Sequence, residues 1–387
     1  MSSTSHGSTG TSSKTALILT GGGARAAYQV GVLKAISELL PDSRRNPFPI
    51  ICGTSAGAIN AAMLASSAED FGAGVEQLHS IWRNFHARDV YRADPVGIGM
   101  SGAGWLSAFA FAWITRHAPR SLLDNLPLRK LVEASVDFER IQRAIDNHAL
   151  HSVSITCSGY STGQSVSFFQ GRADLEPWRR CQRVGAHVKL GLDHLMASSA
   201  IPFIFPAVKL NREWFGDGSM RQIAPISPAI HLGADKILVI GAGRLHEEDT
   251  RPRTEGYPSL AQIAGHALAS IFLDSLSVDL ERTMRINQTL TMIPEEVCRE
   301  RGNGLRPIDV LVIAPSERLD RLAAQHASAL PLPVRVMLRG IGAMNRQGGA
   351  LTSYLLFEKP YTRALLDLGY QDTLSRAAEV REFLGIS

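Results

Sequence analysis

Ser55 stands in Gly53-Thr54-Ser55-Ala56-Gly57, a spacing that holds a hydroxyl on a tight turn with tiny neighbours around it. A serine becomes a useful nucleophile when such a turn lifts it off a sheet edge, because the chain folds sharply there and bulky side chains do not fit. The helix that follows would aim free N–H groups and its positive end at the reacting centre, where negative charge develops. Gly53 and Gly57 therefore count as supporting residues. A second group with chemical capacity is Gly21-Gly22-Gly23-Ala24-Arg25-Ala26, whose glycine N–H groups would suit an oxyanion, while Arg25 would steady the loop or meet a phosphate.

A serine needs a base. Asp217 lies between Gly216 and Gly218, which would let a carboxylate approach another backbone closely, although Asp-Gly is also the commonest kind of turn dipeptide. His231, His246, His266 and His326 all follow it, in the Ser, Asp, His order of α/β-hydrolases. His231 falls in the helix-like PAIHLGAD, where a structural histidine is the simpler reading. His148 and His151 form H-x-x-H without a third ligand nearby, so no metal is expected.

The glycine loop also satisfies G-x-G-x-x-A after a strand, the dinucleotide fingerprint, so an NAD(P)-dependent oxidoreductase is a rival. That site wants an acidic residue at the end of the second strand, where this chain has Gly53-Thr54-Ser55. A non-catalytic lipid-binding module is the other alternative. No cofactor is expected.

These residues require particular elements around them. Ala16–Thr20 is an apolar run ending in the glycines, followed by Tyr28, Val32, Ile36 and Leu39 at near-helical spacing, with Gln29, Lys34, Ser37 and Glu38 as the polar positions. Pro49–Cys52 then leads into the serine turn and the helix-favouring AINAAMLAS. Two such units in succession argue for an α/β sheet. Further strands are expected at Ser152–Cys157, Val166–Phe169, Lys236–Ile240 and Ile308–Ile313, with long helices over Ser259–Ile293 and Tyr361–Leu384.

Four segments resemble the patatin-like phospholipase family: GGGARAAYQVGVL at 21–33, GTSAG at 53–57, ASSAIPFIFPAV at 197–208 and DGSMRQIAPISPAIHLGADKILVI at 217–240. The resemblance implies a three-layer α/β/α sandwich with a mainly parallel sheet, a serine–aspartate catalytic pair falling on Ser55 and Asp217, and an oxyanion loop at Gly21, Gly22 and Gly23. Spacing alone does not yield that pairing. The chain departs from the family where Ser219 takes the third place of DG[GA] and Ile223 stands where asparagine is frequent. The expected organisation is a disordered leader at 1–14, a catalytic domain at 15–243 and a helical C-terminal part at 244–387 on the same domain.

The remaining composition narrows the partners. With 387 residues, 45% hydrophobic content and a net charge of +4, the chain suits a globular enzyme and gives no sign of nucleic-acid binding. Cys52, Cys157, Cys181 and Cys298 lack disulfide or CxxC spacing and read as reduced, and the leader lacks the order of a secretory signal. A cytoplasmic location follows, with peripheral membrane contact expected through residues 96–115, an uncharged stretch holding Trp105, Phe109, Phe111 and Trp113. The expected partner is a lipid or phospholipid substrate.

Overall fold

The computed structural model describes residues 13–92, 121–244, 259–294, 305–340, 342–343 and 349–386, so most of the leader, the 96–115 segment, His246 and Cys298 lie outside the described residues. Strands β1 (Thr15–Leu19), β2 (Ile50–Thr54), β3 (Ser152–Gly159), β9 (Lys236–Ile240) and β10 (Asp309–Ile313) run parallel in the order β10-β9-β1-β2-β3. Successive side chains of a strand point to opposite faces. Leu17, Leu19, Ile51, Leu238 and Ile240 accordingly enter one apolar layer, and Ala16, Ile18, Ile50, Ile237 and Val239 enter the other. Because both faces are covered, the strands read as unbroken apolar runs.

Past β3 the sheet becomes mixed. The strand β4 (Ser165–Gly171) is antiparallel to β3, β6 (Arg183–His187) is parallel to β4, and β5 (Trp178–Arg180) closes the edge antiparallel to β6. The hairpin of β7 (Val208–Leu210) and β8 (Glu213–Asp217) also joins the end of β3. Register there sets Asp217 opposite Cys157, which delivers the carboxylate to the C-terminal end of the parallel strands. In open α/β sheets that end is where ligands bind.

Helices α1 (Ala27–Leu39), α2 (Ala56–Ser66), α3 (Phe71–Arg83), α4 (Leu126–Ser135), α5 (Phe138–Asp146) and α6 (Leu192–Ser198) pack on the first face. On the second face lie α7 (Ser227–His231) and, beyond α8 (Leu260–Ala269), α9 (Ser275–Leu290). After β10 extends the sheet, α10 (Leu319–His326), α11 (Leu332–Gly340), α12 (Gly349–Leu355), α13 (Lys359–Ser375) and α14 (Ala377–Leu384) follow. Helix α13 lies along α1 so closely that a Cβ on Gly31 would come within 2.0 Å of the Leu366 carbonyl oxygen, and one on Gly369 within 2.2 Å of that of Tyr28.

One expectation is corrected here. Gln29 and Ser37 are buried rather than solvent-facing polar positions, and Gln29 turns its amide toward the Thr20 carbonyl and Asn60 of α2. Two helices also differ from their expected form. The run across 259–293 contains a π-turn at Ser270–Asp274, where Phe272 stacks on Tyr354 at 5.0 Å and reaches the Gly21 backbone. Such turns bulge a helix outward by one residue. The last helix breaks at Arg376, which leaves helical geometry and sends its guanidinium to the Val312 carbonyl and to Glu379.

Candidate active site

Strand β2 ends at Thr54 and α2 begins at Ala56, so Ser55 makes the whole turn by itself, with φ 55° and ψ −130°. An L-residue rarely adopts this conformation, and holding it costs on the order of 1–3 kcal/mol. Two serines from the end of α6 brace it. Ser198 Oγ accepts the Ser55 N–H at 2.9 Å and donates to the Thr156 carbonyl at 2.7 Å, while Ser199 Oγ donates to the Ser55 carbonyl at 3.2 Å. The space around the turn is closed: a Cβ on Gly57 would lie 2.3 Å from the Leu19 carbonyl oxygen, and one on Gly53 would meet that of Gly57 at 2.5 Å.

Ser55 Oγ donates to Asp217 Oδ2 at 2.5 Å. Asp217 is fully buried and Ser55 is 1% exposed. The other carboxylate oxygen, Oδ1, accepts the Ser219 N–H at 2.9 Å, and the Asp217 N–H donates to the Ala200 carbonyl. Burial pushes the Asp217 carboxyl up to about 6, against the hydrogen bonds from Ser55 and Ser219 that pull it down. Gly218 lets this hairpin end sit on β3, since a Cβ there would come within 2.1 Å of the Thr156 carbonyl oxygen.

The departures at 219 and 223 have a local account. The Ser219 side chain occupies the space beside Gly21, where a Cβ would approach its Oγ to 2.3 Å. Ile223 is exposed, and the amide near the site is Gln222, which accepts from Thr54 Oγ1 at 2.8 Å and donates to Thr156 Oγ1 at 3.3 Å.

The glycine loop crosses beside this pair. Gly22 lies against Ala242, Gly23 has φ 55° with its Cα against the Tyr354 carbonyl, and the turn Gly23–Ala26 is a single stretch of 3-10 helix. Among the described residues, no acceptor meets the N–H of Gly22 or Gly23. Arg25 is buried and turned into the C-terminal helices, with Nε and Nη2 donating to Ser353 Oγ at 2.8 and 2.7 Å and its guanidinium 4.1 Å above the Tyr354 ring.

An apolar cavity opens on Ser55 and Gly23 and runs between α2, α3 and α4, walled by Met63, Trp82, Phe85, Leu131, Phe205 and Phe357 among others. Its lining is almost wholly hydrocarbon. The hydrogen bonds of Ser55 and Asp217 among the described residues involve no histidine. His231 instead stacks on Trp178 at 4.9 Å, His326 packs near Tyr361, and His266 is exposed on α8. Burial, with Arg180 and Arg183 nearby, holds the His231 imidazole down at about 4. No cluster of three His, Cys, Asp or Glu side chains able to hold a metal occurs among the described residues.

A serine on a strained strand-to-helix turn, hydrogen-bonded to a buried aspartate inside a three-layer α/β/α sandwich, defines the class of protein. A sequence profile for patatin-like phospholipase matches residues 17–230, more than half the chain, and the chain belongs to this family. It is 28% identical over 218 residues to a cGAMP-activated phospholipase of Pseudomonas aeruginosa (strain BWHPSA011 / Pa011), across 54% of this chain and 53% of that protein. It is also 41% identical over 66 residues to a cUMP-AMP-activated phospholipase of Escherichia coli, across 17% and 19% of the two chains. The chain thus spans about half or less of the length of these curated relatives. Among solved structures, VipD from Legionella pneumophila aligns over 92% of this chain and 67% of its own at 13% identity, with a TM-score of 0.34. The complex of SpcU with ExoU from Pseudomonas aeruginosa aligns over 94% and 77% at 15% identity, with a TM-score of 0.26.

The braces Ser198 and Ser199, the amide of Gln222 and the cavity wall are features of the candidate site that residue patterns did not single out. The two serines lie inside the ASSAIPFIFPAV segment, so the resemblance marked their neighbourhood without marking their task.

Proposed function

We propose that the chain is a serine acyl hydrolase that cleaves acyl esters of lipids, with Ser55 as nucleophile and Asp217 as general base. The observation that carries this reading is the 2.5 Å hydrogen bond to a fully buried carboxylate from Ser55 Oγ, a residue that lines an apolar cavity. Ser55 Oγ attacks the ester carbonyl carbon while its proton passes to Asp217 Oδ2. The resulting oxyanion is met by the free N–H groups of Gly22 and Gly23 and by the N-terminus of α2, and each such donor is worth about 3 kcal/mol in the transition state. Collapse expels the alcohol, which leaves with the proton from Asp217. Water then attacks the acyl-Ser55 ester, with Asp217 again taking the proton; collapse releases the fatty acid and returns that proton from Asp217 to Ser55 Oγ. The apolar cavity suits an acyl chain, whose burial is worth about 0.8 kcal/mol per methylene.

The base must be ionised before it can accept a proton, so activity should follow the deprotonation of Asp217. With that carboxyl pushed up to about 6, kcat/KM for a p-nitrophenyl acyl ester is expected to be level above pH 7 and to fall about tenfold per pH unit below the inflection. A rate profile measured from pH 4.5 to 8.5 tests this. A flat profile down to pH 5 would show that burial does not hold the carboxyl of the base up in the free enzyme.

A further inference from the structure

Behind the site lies a chain of amides that no catalytic step above employs. Trp82 Nε1, in the cavity wall, donates to Asn60 Oδ1 at 2.9 Å. Asn60 Nδ2 donates to Gln29 Oε1 at 3.1 Å and to the Ala26 carbonyl at 3.3 Å, and Gln29 Nε2 donates to the Thr20 carbonyl at 2.7 Å. Asn60 and Gln29 are both 0% exposed, and Trp82 is 5% exposed and stacked on Phe85 at 4.8 Å. Burying two primary amides in a hydrocarbon core is costly unless their polar atoms find partners, and here the amides satisfy one another.

The acceptors at the far end of this chain are what give it meaning. Thr20 is the residue before Gly21, and Ala26 is the last residue of the 3-10 turn, so the amide pair grips the glycine loop at both ends. Asn60 itself is on α2, the helix that Ser55 begins. Asn60 therefore ties the nucleophile's helix to one end of the glycine loop directly, at Ala26, and to the other, at Thr20, through Gln29.

We propose that Asn60, acting through Gln29, is the positioning residue that fixes the glycine loop relative to Ser55. The proposal rests on the acyl-hydrolase reading. Oxyanion donors act only when held close to the place where charge develops, and a displacement of about 1 Å costs on the order of 100-fold in rate. Leucine at 60 keeps the branched shape of asparagine, at a larger volume, but none of its hydrogen bonds, so it would remove the tie to Ala26 and the partner of Gln29 without emptying the space.

The test is steady-state kinetics on p-nitrophenyl butyrate and octanoate with Asn60→Leu, Gln29→Met and the double variant, beside the rate of inactivation by a fluorophosphonate. Each single change is expected to lower kcat by about 10- to 100-fold on both esters, to leave KM within about twofold, and to slow inactivation in parallel. Because the two amides act as one unit, the double variant should be no worse than the poorer single one. If Asn60→Leu fails to fold, Trp82→Phe keeps a ring in the wall and removes one donor to Asn60, and a loss of about three- to tenfold in kcat, equal on both esters, is expected. A loss confined to KM for octanoate would make Asn60 merely part of the cavity wall. Multiplicative losses in the double variant, or kcat unchanged with only a lower melting temperature, would overturn the positioning role. A wild-type protein that hydrolyses neither ester would sink the acyl-hydrolase reading and this proposal with it, whereas an active wild type with unaffected variants would sink this proposal alone.

Discussion

Ser55→Ala is expected to lower kcat on a p-nitrophenyl acyl ester by at least about 10⁴-fold, because no other hydroxyl among the described residues is both placed on the elbow and bonded to Asp217. The fold should persist. Alanine adopts φ 55° at much the same cost as serine, and the braces from Ser198 and Ser199 act on the backbone N–H and carbonyl of residue 55, which the substitution leaves in place. The lost interaction is one hydrogen bond to a buried carboxylate, typically worth about 1.5–3 kcal/mol. Part of that loss is recovered as Asp217 takes up a proton more readily. Thermal unfolding and steady-state rates measured on the same preparation separate the two effects. Activity within tenfold of wild type in a folded variant would show that another residue performs the attack.

Asp217→Asn separates activity from stability in the opposite direction. Asparagine still accepts the Ser219 N–H and still meets Ser55, but it cannot take a proton, so turnover should fall by about 10³- to 10⁴-fold. Stability should rise at neutral pH. Burial raises the folded-state carboxyl above its ordinary value, so the folded protein binds a proton more readily than the unfolded chain. The resulting penalty is absent below pH 4, grows as pH rises, and is complete above about pH 6. A displacement from 3.8 to about 6 corresponds to about 3 kcal/mol. The variant should therefore melt several degrees higher than wild type at pH 7.5 and at nearly the same temperature at pH 4. Equal melting temperatures at both pH values would mean that Asp217 is not held ionised against burial.

Local chemistry made much of this site legible in the sequence. Gly53 and Gly57 announce a turn that admits no side chain, and the apolar run before them with the alanine-rich run after them announces the strand and helix that the turn joins. Ser55 could be found on those grounds alone. Asp217 could not, because an Asp-Gly pair looks the same in any hairpin, and what brings it to Ser55 is the register of β8 on β3, a pairing across about sixty residues of chain. The family resemblance carried that step.

The same physics explains what stayed hidden. Gln29 sits at a polar position of an otherwise apolar helix and reads as solvent-facing, because nothing local reveals that Asn60, thirty-one residues later on α2, and the Thr20 carbonyl will meet its amide inside the core. Asn60 lies in a helix of small residues and carries no motif. The last two strands at this end of the sheet, β6 and the edge strand β5, are short and half-exposed, so period-two patterning is weak there. The π-turn at Ser270–Asp274 answers to Phe272 packing on Tyr354, a tertiary demand that periodicity does not encode.

The central claim is that Ser55 Oγ forms a covalent acyl-enzyme with Asp217 as its base. The most direct measurement is peptide mapping of the protein after reaction with a long-chain alkyl fluorophosphonate, which phosphonylates an activated serine as an ester would acylate it. The account predicts a single adduct on Ser55, none on Ser198, Ser199 or Ser219, and no adduct in the Ser55→Ala variant. An adduct on another residue, or labelling that persists unchanged in Ser55→Ala, would contradict it.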